Sequence, residues 1–361
     1  MAPALTTETP SNPSSAHALQ NPIDPSFLDR LDKDFVEYYN LHLANKPATH
    51  SVSIADIRAN PKKYASPWCR DFSSEPFVKD IKIKSDDGHE ITARCYHPDA
   101  SKSPFGQGPY PVHINFHGGG FTFGDLTGDA KLCMEWRNRL GIMVMDVNYR
   151  HCPENAFGKG HDDAWAAIRW VHRNGNEIKI RPDSISIGGI SAGGTLSAVA
   201  QQLARDHGLP LKLSKALAVL AVPCTVIHDE PATPEESPFA SFAENALAPC
   251  LNWKRLVYFR DHWAPKTEEE SATFFARGEA FLSPLKGELT GVCDTFICTA
   301  GCDPLRDEGE QYGRRLVESG VKTTVRRYTG VPHPFMHMAG VRKAQMFMDD
   351  VTAELKRVHH A

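Results

Sequence analysis

The sequence predicts an α/β fold with a mostly parallel eight-stranded sheet flanked by helices, and a helical cap. Short apolar runs alternate with stretches of helical periodicity from about residue 110 onward, which is typical of βα units in a parallel sheet. Before them, two segments of alternating polarity flank Asp86-Asp87-Gly88 and predict a β-hairpin. One long stretch, residues 225–285, interrupts the alternation and is predicted to be an insertion.

The composition argues against a protein that binds nucleic acid or inserts into a membrane. Of the 361 residues, 41% are hydrophobic and 23% charged, and the formal net charge is −4, so the chain lacks the basic excess that nucleic acid or anionic membranes require. No window reaches about 18 uninterrupted apolar residues, and the N-terminus lacks a basic-then-apolar signal. These features predict a cytoplasmic protein with no nucleic-acid partner and no membrane insertion.

The nine cysteines are scattered and odd in number, which favours buried free thiols over a disulfide framework. Cys293, Cys298 and Cys302 are close in sequence, but they span a predicted strand and its loop, which does not favour a zinc site. We therefore expect neither a metal nor a cofactor.

The N-terminal region divides into two parts. Residues 1–25 are rich in Pro, Ser, Thr and Ala, which predicts a mobile tail. From Pro25 to Leu43, apolar residues recur every three or four positions, which predicts an amphipathic helix that must dock on another surface.

The remaining elements follow the period of the apolar residues. Strands are predicted near 78–83, 91–96, 112–116, 142–147, 184–188, 216–222, 294–299 and 323–328, with helices near 129–140, 161–174, 192–207, 307–319 and 341–358. The insertion carries many large apolar groups and should form short helices over the sheet. Whether these groups form their own small core or line a ligand pocket stays open.

The segment Gly189-Ile190-Ser191-Ala192-Gly193 follows an apolar strand and precedes a helical stretch of small residues. This pattern predicts a sharp strand-to-helix turn with an exposed serine at its apex, because side chains at both glycine positions would collide where strand and helix approach. Ser191 is therefore the candidate nucleophile.

A serine nucleophile needs a base and a group that orients the base, both beyond the carboxyl ends of later strands. Asp303 lies in the loop after the strand at 294–299. Asp307 and Glu308 instead begin the next helix, where acidic side chains interact favourably with the N-terminal end of the helix dipole. Asp303 is therefore the favoured orienting carboxylate.

Two histidines follow the last strand. His333 is nearer the strand end, and His337 lies at the start of the final helical region, so we favour His333 as the base. The chain order Ser191, Asp303, His333 is the one expected of a serine hydrolase built on this succession of strands.

A glycine-rich loop after the third strand reads Phe116-His117-Gly118-Gly119-Gly120-Phe121. It lacks both the G-x-G-x-x-G spacing and a following Lys-Ser/Thr pair, which disfavours a phosphate-binding role. The amides of Gly118, Gly119 and Ala192 are instead predicted to form an oxyanion hole. His117 is expected to support this loop rather than react.

The serine turn and the glycine-rich loop resemble motifs of the hormone-sensitive-lipase-like family of α/β-hydrolases. Three further segments share this resemblance: the final His-x-Phe, Asp303-Pro304-Leu305-Arg306-Asp307-Glu308 and Tyr149-Arg150-His151-Cys152-Pro153-Glu154. The resemblance extends over the helical stretch 161–171 and runs from about residue 76 to the C-terminus, more weakly in the insertion. It implies hydrolysis of carboxylic esters with small or medium acyl chains through an acyl-enzyme.

The same resemblance implies a cap made from N-terminal helices and the insertion. The expected organisation is a tail at 1–25, N-terminal cap helices at 26–75, a catalytic core at 76–224 and 286–361, and a cap insertion at 225–285. Two departures from the family occur beside the catalytic candidates: Ile190 stands where an acidic residue is common, and Pro334 where a glycine is usual. Ile190 makes the surroundings of the serine less polar and puts the family's average substrate preference in question.

Two alternatives stay open. The same residues could serve acyl transfer, elimination or cyclisation on a natural product, or the scaffold could be a non-catalytic small-molecule receptor. The expected partner is a small-molecule ester, and a homodimer is compatible with a sequence that does not determine the oligomeric state.

Overall fold

A computed structural model describes residues 19–209, 216–227 and 231–360 of the chain. Residues 1–18 of the predicted mobile tail lie outside the described residues. The strands are β1 Val78–Lys84, β2 Glu90–Tyr96, β3 Tyr110–Phe116, β4 Met143–Asn148, β5 Ile180–Ile190, β6 Leu217–Ala221, β7 Asp294–Cys302 and β8 Thr323–Pro332.

The α-helices lie before, between and after these strands. They are α1 Lys33–His42, α2 Ile54–Ala59, α3 Pro61–Tyr64, α4 Ala130–Leu140, α5 Lys159–Asn174, α6 Ala192–Asp206, α7 Ala240–Glu244, α8 Trp253–Trp263, α9 Glu268–Phe275, α10 Glu279–Leu282, α11 Arg306–Glu318 and α12 Arg342–His359. Within the described ranges, no helix is both long enough and apolar enough to cross a bilayer.

All eight strands form one sheet in the order β1-β2-β4-β3-β5-β6-β7-β8. Strand β2 pairs antiparallel with β1 and β4, whereas the pairs from β4 through β8 are parallel. The predicted α/β fold with a mostly parallel eight-stranded sheet is therefore confirmed. This topology places the carboxyl ends of β3, β5, β6, β7 and β8 along one edge, where the candidate residues follow their strands.

Helices cover both faces of the sheet. One apolar cluster joins the sheet to α5, α6 and the insertion helices, and a second joins it to α1, α4 and α12. Strand β3 is buried along its whole length, as expected of a central strand covered on both faces.

The N-terminal helix is shorter than its apolar pattern predicts. The predicted helix spans Pro25 to Leu43, whereas the structure has a short 3-10 turn at Pro25–Phe27 and begins α1 only at Lys33. Asp32 is extended, and its amide donates to the carbonyl oxygen of Gly330 in β8 at 2.7 Å. This tertiary hydrogen bond interrupts a helix that the spacing of apolar residues favours.

Candidate active site

Ser191 occupies the turn between β5 and α6. Its backbone has φ 56° and ψ −118°, a strained combination for a residue with a side chain, and its amide donates to the carbonyl oxygen of Ala221 at 2.8 Å. The turn therefore has the strand–turn–helix geometry that presents a serine hydroxyl at the edge of the sheet.

The glycines around Ser191 are required by close backbone contacts. A Cβ atom at Gly189 or Gly193 would overlap the carbonyl oxygen of Phe116 at the end of β3. Backbone atoms of neighbouring strands cannot move aside as a flexible side chain can, so both positions exclude any larger residue.

We predict that Gly193→Ala lowers the free energy of unfolding by about 3 kcal/mol or more, because the new methyl group must displace the carbonyl of Phe116. Urea denaturation measures this change. The control is Gly309→Ala in α11, where the added Cβ would meet its nearest atom, Cγ2 of Thr299, at an ordinary 3.4 Å. That control should be neutral or up to about 1 kcal/mol stabilising; equal losses in the two variants would contradict the prediction.

His333 and Asp303 form a buried pair after β8 and β7, respectively. Nδ1 of His333 lies 2.9 Å from Oδ2 of Asp303, while Oδ1 of Asp303 accepts a 2.9 Å hydrogen bond from the amide of Leu305. Asp303 is fully buried and His333 only 6% exposed. With both carboxylate oxygens engaged, the imidazole is held in one orientation and its Nε2 is left for other partners.

The alternative carboxylates hold backbone segments. Asp307 bonds to the side chain of Arg306 and accepts from the amide of Ser241 at 2.9 Å. Glu308 is buried and accepts from the amide of Thr225 at 2.5 Å. Both contacts fix segments between β6 and β7 to the start of α11.

The predicted oxyanion donors lie around the same turn. A Cβ atom built on Gly118 would be 3.6 Å from Cβ of Ser191, so the glycine loop passes beside the serine. Ala192 is the first residue of α6, where backbone amides have no partner within the helix. Among the described residues, no hydrogen bond uses the amide of Gly118, Gly119 or Ala192, so all three can serve a bound oxygen.

Aromatic rings support the glycine loop from behind. His117 stacks on Tyr149 with ring centroids 4.5 Å apart, and the Tyr149 hydroxyl donates to the His117 carbonyl oxygen at 2.8 Å. His151 meets both rings edge-on. Burial, followed by electrostatic interactions with His117 and Arg58, lowers the pKa of His151 to about 2, so His151 is neutral. This cluster therefore supports the loop by ring packing and by the hydrogen bond from Tyr149.

Arg58 of α2 joins the N-terminal helices to this loop, and sequence reasoning missed it. Its guanidinium donates to the carbonyl oxygen of Thr122 at 2.6 Å and pairs with Glu154 at 3.1 Å. The sequence around Arg58 has no regular apolar pattern, and only its partner Glu154 belongs to a motif that carries the family resemblance, residues 149–154. Arg58 therefore connects two segments that the sequence offered no means of pairing.

The insertion helix α8 also reaches the glycine loop. The ring of Phe259 lies so close to Gly120 that it would overlap a Cβ atom there, and Tyr258 donates to the carbonyl oxygen of Val52 at 3.2 Å. Phe123, just after the glycines, contacts both aromatic rings. The N-terminal segment, the insertion and the glycine loop therefore meet at one place.

A second aromatic cluster surrounds His161 in α5. Its ring contacts those of Phe121, Phe157 and Phe281 with centroids 4.5–5.5 Å apart. Neither ring nitrogen has a hydrogen-bond partner among the described residues. Burial, followed by the charge of Arg277, lowers the pKa of His161 from 6.5 to about 3.

This burial makes stability depend on pH. Between pH 6.5 and about 3, the unfolded chain protonates His161 while the folded protein does not, so stability falls as the pH falls. We predict that His161→Leu removes the uptake of about one proton that accompanies unfolding in this pH range. The decrease in unfolding free energy from pH 6.5 to pH 5 should be about 2 kcal/mol smaller than in the wild type. Urea titrations at both pH values measure it, with exposed His89→Gln as control; an unchanged slope in His161→Leu would contradict the assignment.

Comparisons with known proteins agree with this architecture. A family model described as alpha/beta hydrolase fold matches residues 113–337. An AB hydrolase superfamily protein of Schizosaccharomyces pombe is 29% identical over 349 residues, covering 92% of this chain and 96% of its own. Carboxylesterase NlhH of Mycobacterium tuberculosis is 33% identical over 273 residues, covering 75% and 80%.

Among solved structures, an esterase of Pyrobaculum calidifontis superposes with a TM-score of 0.74 at 26% identity, covering 90% of this chain and 98% of that one. The matched region contains the glycine loop, the serine turn and both loops that carry Asp303 and His333. The chain therefore belongs to the alpha/beta hydrolase fold family, and within it to the hormone-sensitive-lipase-like group of enzymes.

Proposed function

We propose that the protein is a serine esterase that cleaves carboxylic esters of small or medium acyl chain through an acyl-enzyme. The observation that carries this proposal is the buried His333–Asp303 pair at the sheet edge where the strained Ser191 turn also lies. The carboxylesterase activity named for NlhH supports the same class of reaction.

In this mechanism, Ser191 attacks the ester carbonyl while Nε2 of His333 accepts the hydroxyl proton. Asp303 orients the ring and stabilises the imidazolium that forms. His333 then returns the proton to the leaving alcohol, and a water molecule activated by the same imidazole hydrolyses the acyl-enzyme.

The negative charge that develops on the carbonyl oxygen needs donors that are already in place. The amides of Gly118, Gly119 and Ala192 fulfil this role in the proposal, because Gly118 lies beside Ser191, Ala192 follows it, and no other hydrogen bond of the described residues uses these amides. Loss of one such donor typically costs on the order of 10²–10³ in turnover.

Residues 26–75 and 225–285 form the cap in this proposal, over a core of residues 76–224 and 286–361. The hydrogen bond between Tyr258 and Val52 and the contact of Phe259 with the glycine loop support it. Nine free cysteines favour a cytoplasmic location, since a reducing compartment keeps thiols from pairing. A homodimer is compatible with this arrangement.

The test uses purified protein with p-nitrophenyl esters of two to twelve acyl carbons and a fluorophosphonate probe. Hydrolysis that peaks at short or medium chains, with stoichiometric labelling of Ser191, is the expected result. Labelling without hydrolysis would favour acyl transfer or another non-hydrolytic reaction. A protein that neither reacts with the probe nor hydrolyses the esters would refute the esterase and favour the receptor alternative.

A further inference from the structure

A second buried histidine–carboxylate pair lies beside the proposed catalytic one. Nε2 of His337 is 2.7 Å from Oδ1 of Asp129, and the side chains are 7% and 1% exposed. His337 follows His333 by four residues on the same loop, in the 3-10 turn Phe335–His337. The proposed mechanism assigns this pair no role.

Asp129 connects the pair to the glycine-rich loop. It ends that loop immediately before α4, and its Oδ2 accepts a 3.0 Å hydrogen bond from Asn115 in β3. Asn115 precedes Gly118 by three residues. The carboxylate of Asp129 therefore fastens the end of the glycine loop to its beginning and to the loop of His333.

The charge of the network is concentrated on Asp129. Asn115 also donates to Asp146 at 2.8 Å. Burial, followed by the charge of Asp129, holds the pKa of Asp146 well above its usual range, which favours the neutral form of Asp146. Burial also raises the pKa of Asp129, but its hydrogen bonds and the interaction with His337 outweigh this and leave it below the usual value. An ionised Asp129 accepts, so Nε2 of His337 is the donor.

Residues of the N-terminal segment cover the pair of His337 and Asp129 on the side that faces solvent. Trp68 stacks on His337 with ring centroids 5.0 Å apart and planes 6° from parallel. The amide of Arg70 donates to the carbonyl oxygen of Thr127 at 3.0 Å, two residues before Asp129. The side chains of the pair are therefore largely shielded from solvent, and a hydrogen bond to an ionised carboxylate is strong in such surroundings.

We propose that His337 is a positioning residue of the esterase, whose hydrogen bond to Asp129 fixes the distance between the loop of His333 and the amides of Gly118 and Gly119. The inference rests on the proposed function, since proton transfer and oxyanion stabilisation must act on one bound ester. A misplacement of about 1 Å between such groups can cost on the order of 10² in rate. Among the described residues, His337 makes no hydrogen bond and no ring contact with Ser191, Asp303 or His333.

The experiment compares His337→Gln with His337→Asn. The side-chain nitrogen of glutamine can occupy the place of Nε2 and donate to Asp129, whereas asparagine is one methylene too short. We expect His337→Asn to lower kcat per fluorophosphonate-titrated site about 10- to 100-fold with KM changed less than about threefold. His337→Gln should recover most of the loss. The inhibition constant of a trifluoromethyl ketone, which forms an oxyanion on Ser191, should rise in parallel with the loss of kcat/KM.

His113→Gln is the control for the general effect of altering a buried histidine. His113 lies in β3, is fully buried and has Nδ1 2.9 Å from Oγ of Ser186. Its replacement should lower stability but leave kcat per titrated site unchanged. Asp129→Asn is the second test if His337→Asn does not fold: His337 and Asn115 bond to different oxygens of Asp129, and asparagine keeps only one of these acceptors, so kcat should fall.

The outcomes separate the two proposals. A wild-type protein without esterase activity would refute the proposed function and this inference with it. If the wild type is active, equal kcat values in His337→Gln and His337→Asn would refute the inference alone. A kcat of Asp129→Asn equal to that of the wild type would do the same. A fall in kcat with unchanged ketone affinity would also contradict it, because the glycine amides would then be correctly placed.

Discussion

Ser191→Ala is expected to lower kcat for p-nitrophenyl butyrate by about 10⁴- to 10⁶-fold and to abolish fluorophosphonate labelling. In the proposed mechanism, the hydroxyl oxygen of Ser191 is the atom that bonds to the acyl group. Folding should be preserved, because the hydroxyl makes no hydrogen bond among the described residues and alanine, which has the same Cβ atom as serine, adds no further strain at the positive φ of this turn. Single-turnover kinetics, mass spectrometry of the probe adduct and thermal unfolding measure the three effects.

Ser197→Ala is the matched control. Ser197 lies in the same helix, is buried and donates to the carbonyl oxygen of Gly193 at 3.0 Å. Since its hydroxyl only supports the helix, its removal should change kcat less than about twofold. Residual turnover of Ser191→Ala above about 1% of wild type, after excluding contaminating enzyme, would mean that another group carries the reaction.

The periodicity of apolar residues predicted the sheet because each βα unit buries one continuous apolar strand. The strands were placed correctly from their apolar centres, but β5 begins four residues earlier than predicted, at Ile180. Arg181-Pro182-Asp183 hides this start, since a polar run with a proline does not look like a strand. Ile180 nonetheless pairs with Tyr110 of β3, and the pairing resumes at Ile185 after an irregularity in the register.

The sequence predicted those residues of the candidate site whose positions follow from the order of the strands. Ser191, Asp303 and His333 each follow a strand directly, and parallel strands bring their carboxyl ends to one edge whatever the loops do. Their catalytic roles stay predictions that the variants test. The contacts of Arg58 with Thr122 and Glu154 had no such anchor, because they join segments more than 60 residues apart across irregular sequence.

His337 illustrates the same limit. Its sequence position made it a rival base to His333, and no spacing could show that its partner is Asp129, 208 residues away. The structure separates the two imidazoles by their partners: His333 faces Asp303 after β7, whereas His337 faces the end of the glycine loop. Long-range pairing of polar side chains in a buried network depends on packing rather than on any local pattern.

Asp303→Asn is expected to lower kcat about 10³- to 10⁴-fold while leaving KM nearly unchanged. The carboxylate accepts from Leu305 through Oδ1 and from His333 through Oδ2. An asparagine can keep only one acceptor, and its oxygen stays with the amide of Leu305 because its NH₂ group cannot accept. The NH₂ group then faces Nδ1 of His333 and selects the tautomer with a proton on Nε2, which cannot take the proton of Ser191. Steady-state kinetics per titrated site measure the loss.

Asp307→Asn tests whether this effect belongs to Asp303 or to any carboxylate in the segment. Asp307 lies four residues later, pairs with Arg306 and accepts from the amide of Ser241. Asparagine can keep the second contact, so kcat should change less than about threefold. A large loss in Asp307→Asn together with a nearly active Asp303→Asn would transfer the orienting role to Asp307. The 2.9 Å contact between Asp303 and His333 argues for the opposite result, since a residue bonded only to Arg306 and Ser241 cannot select the tautomer of the base.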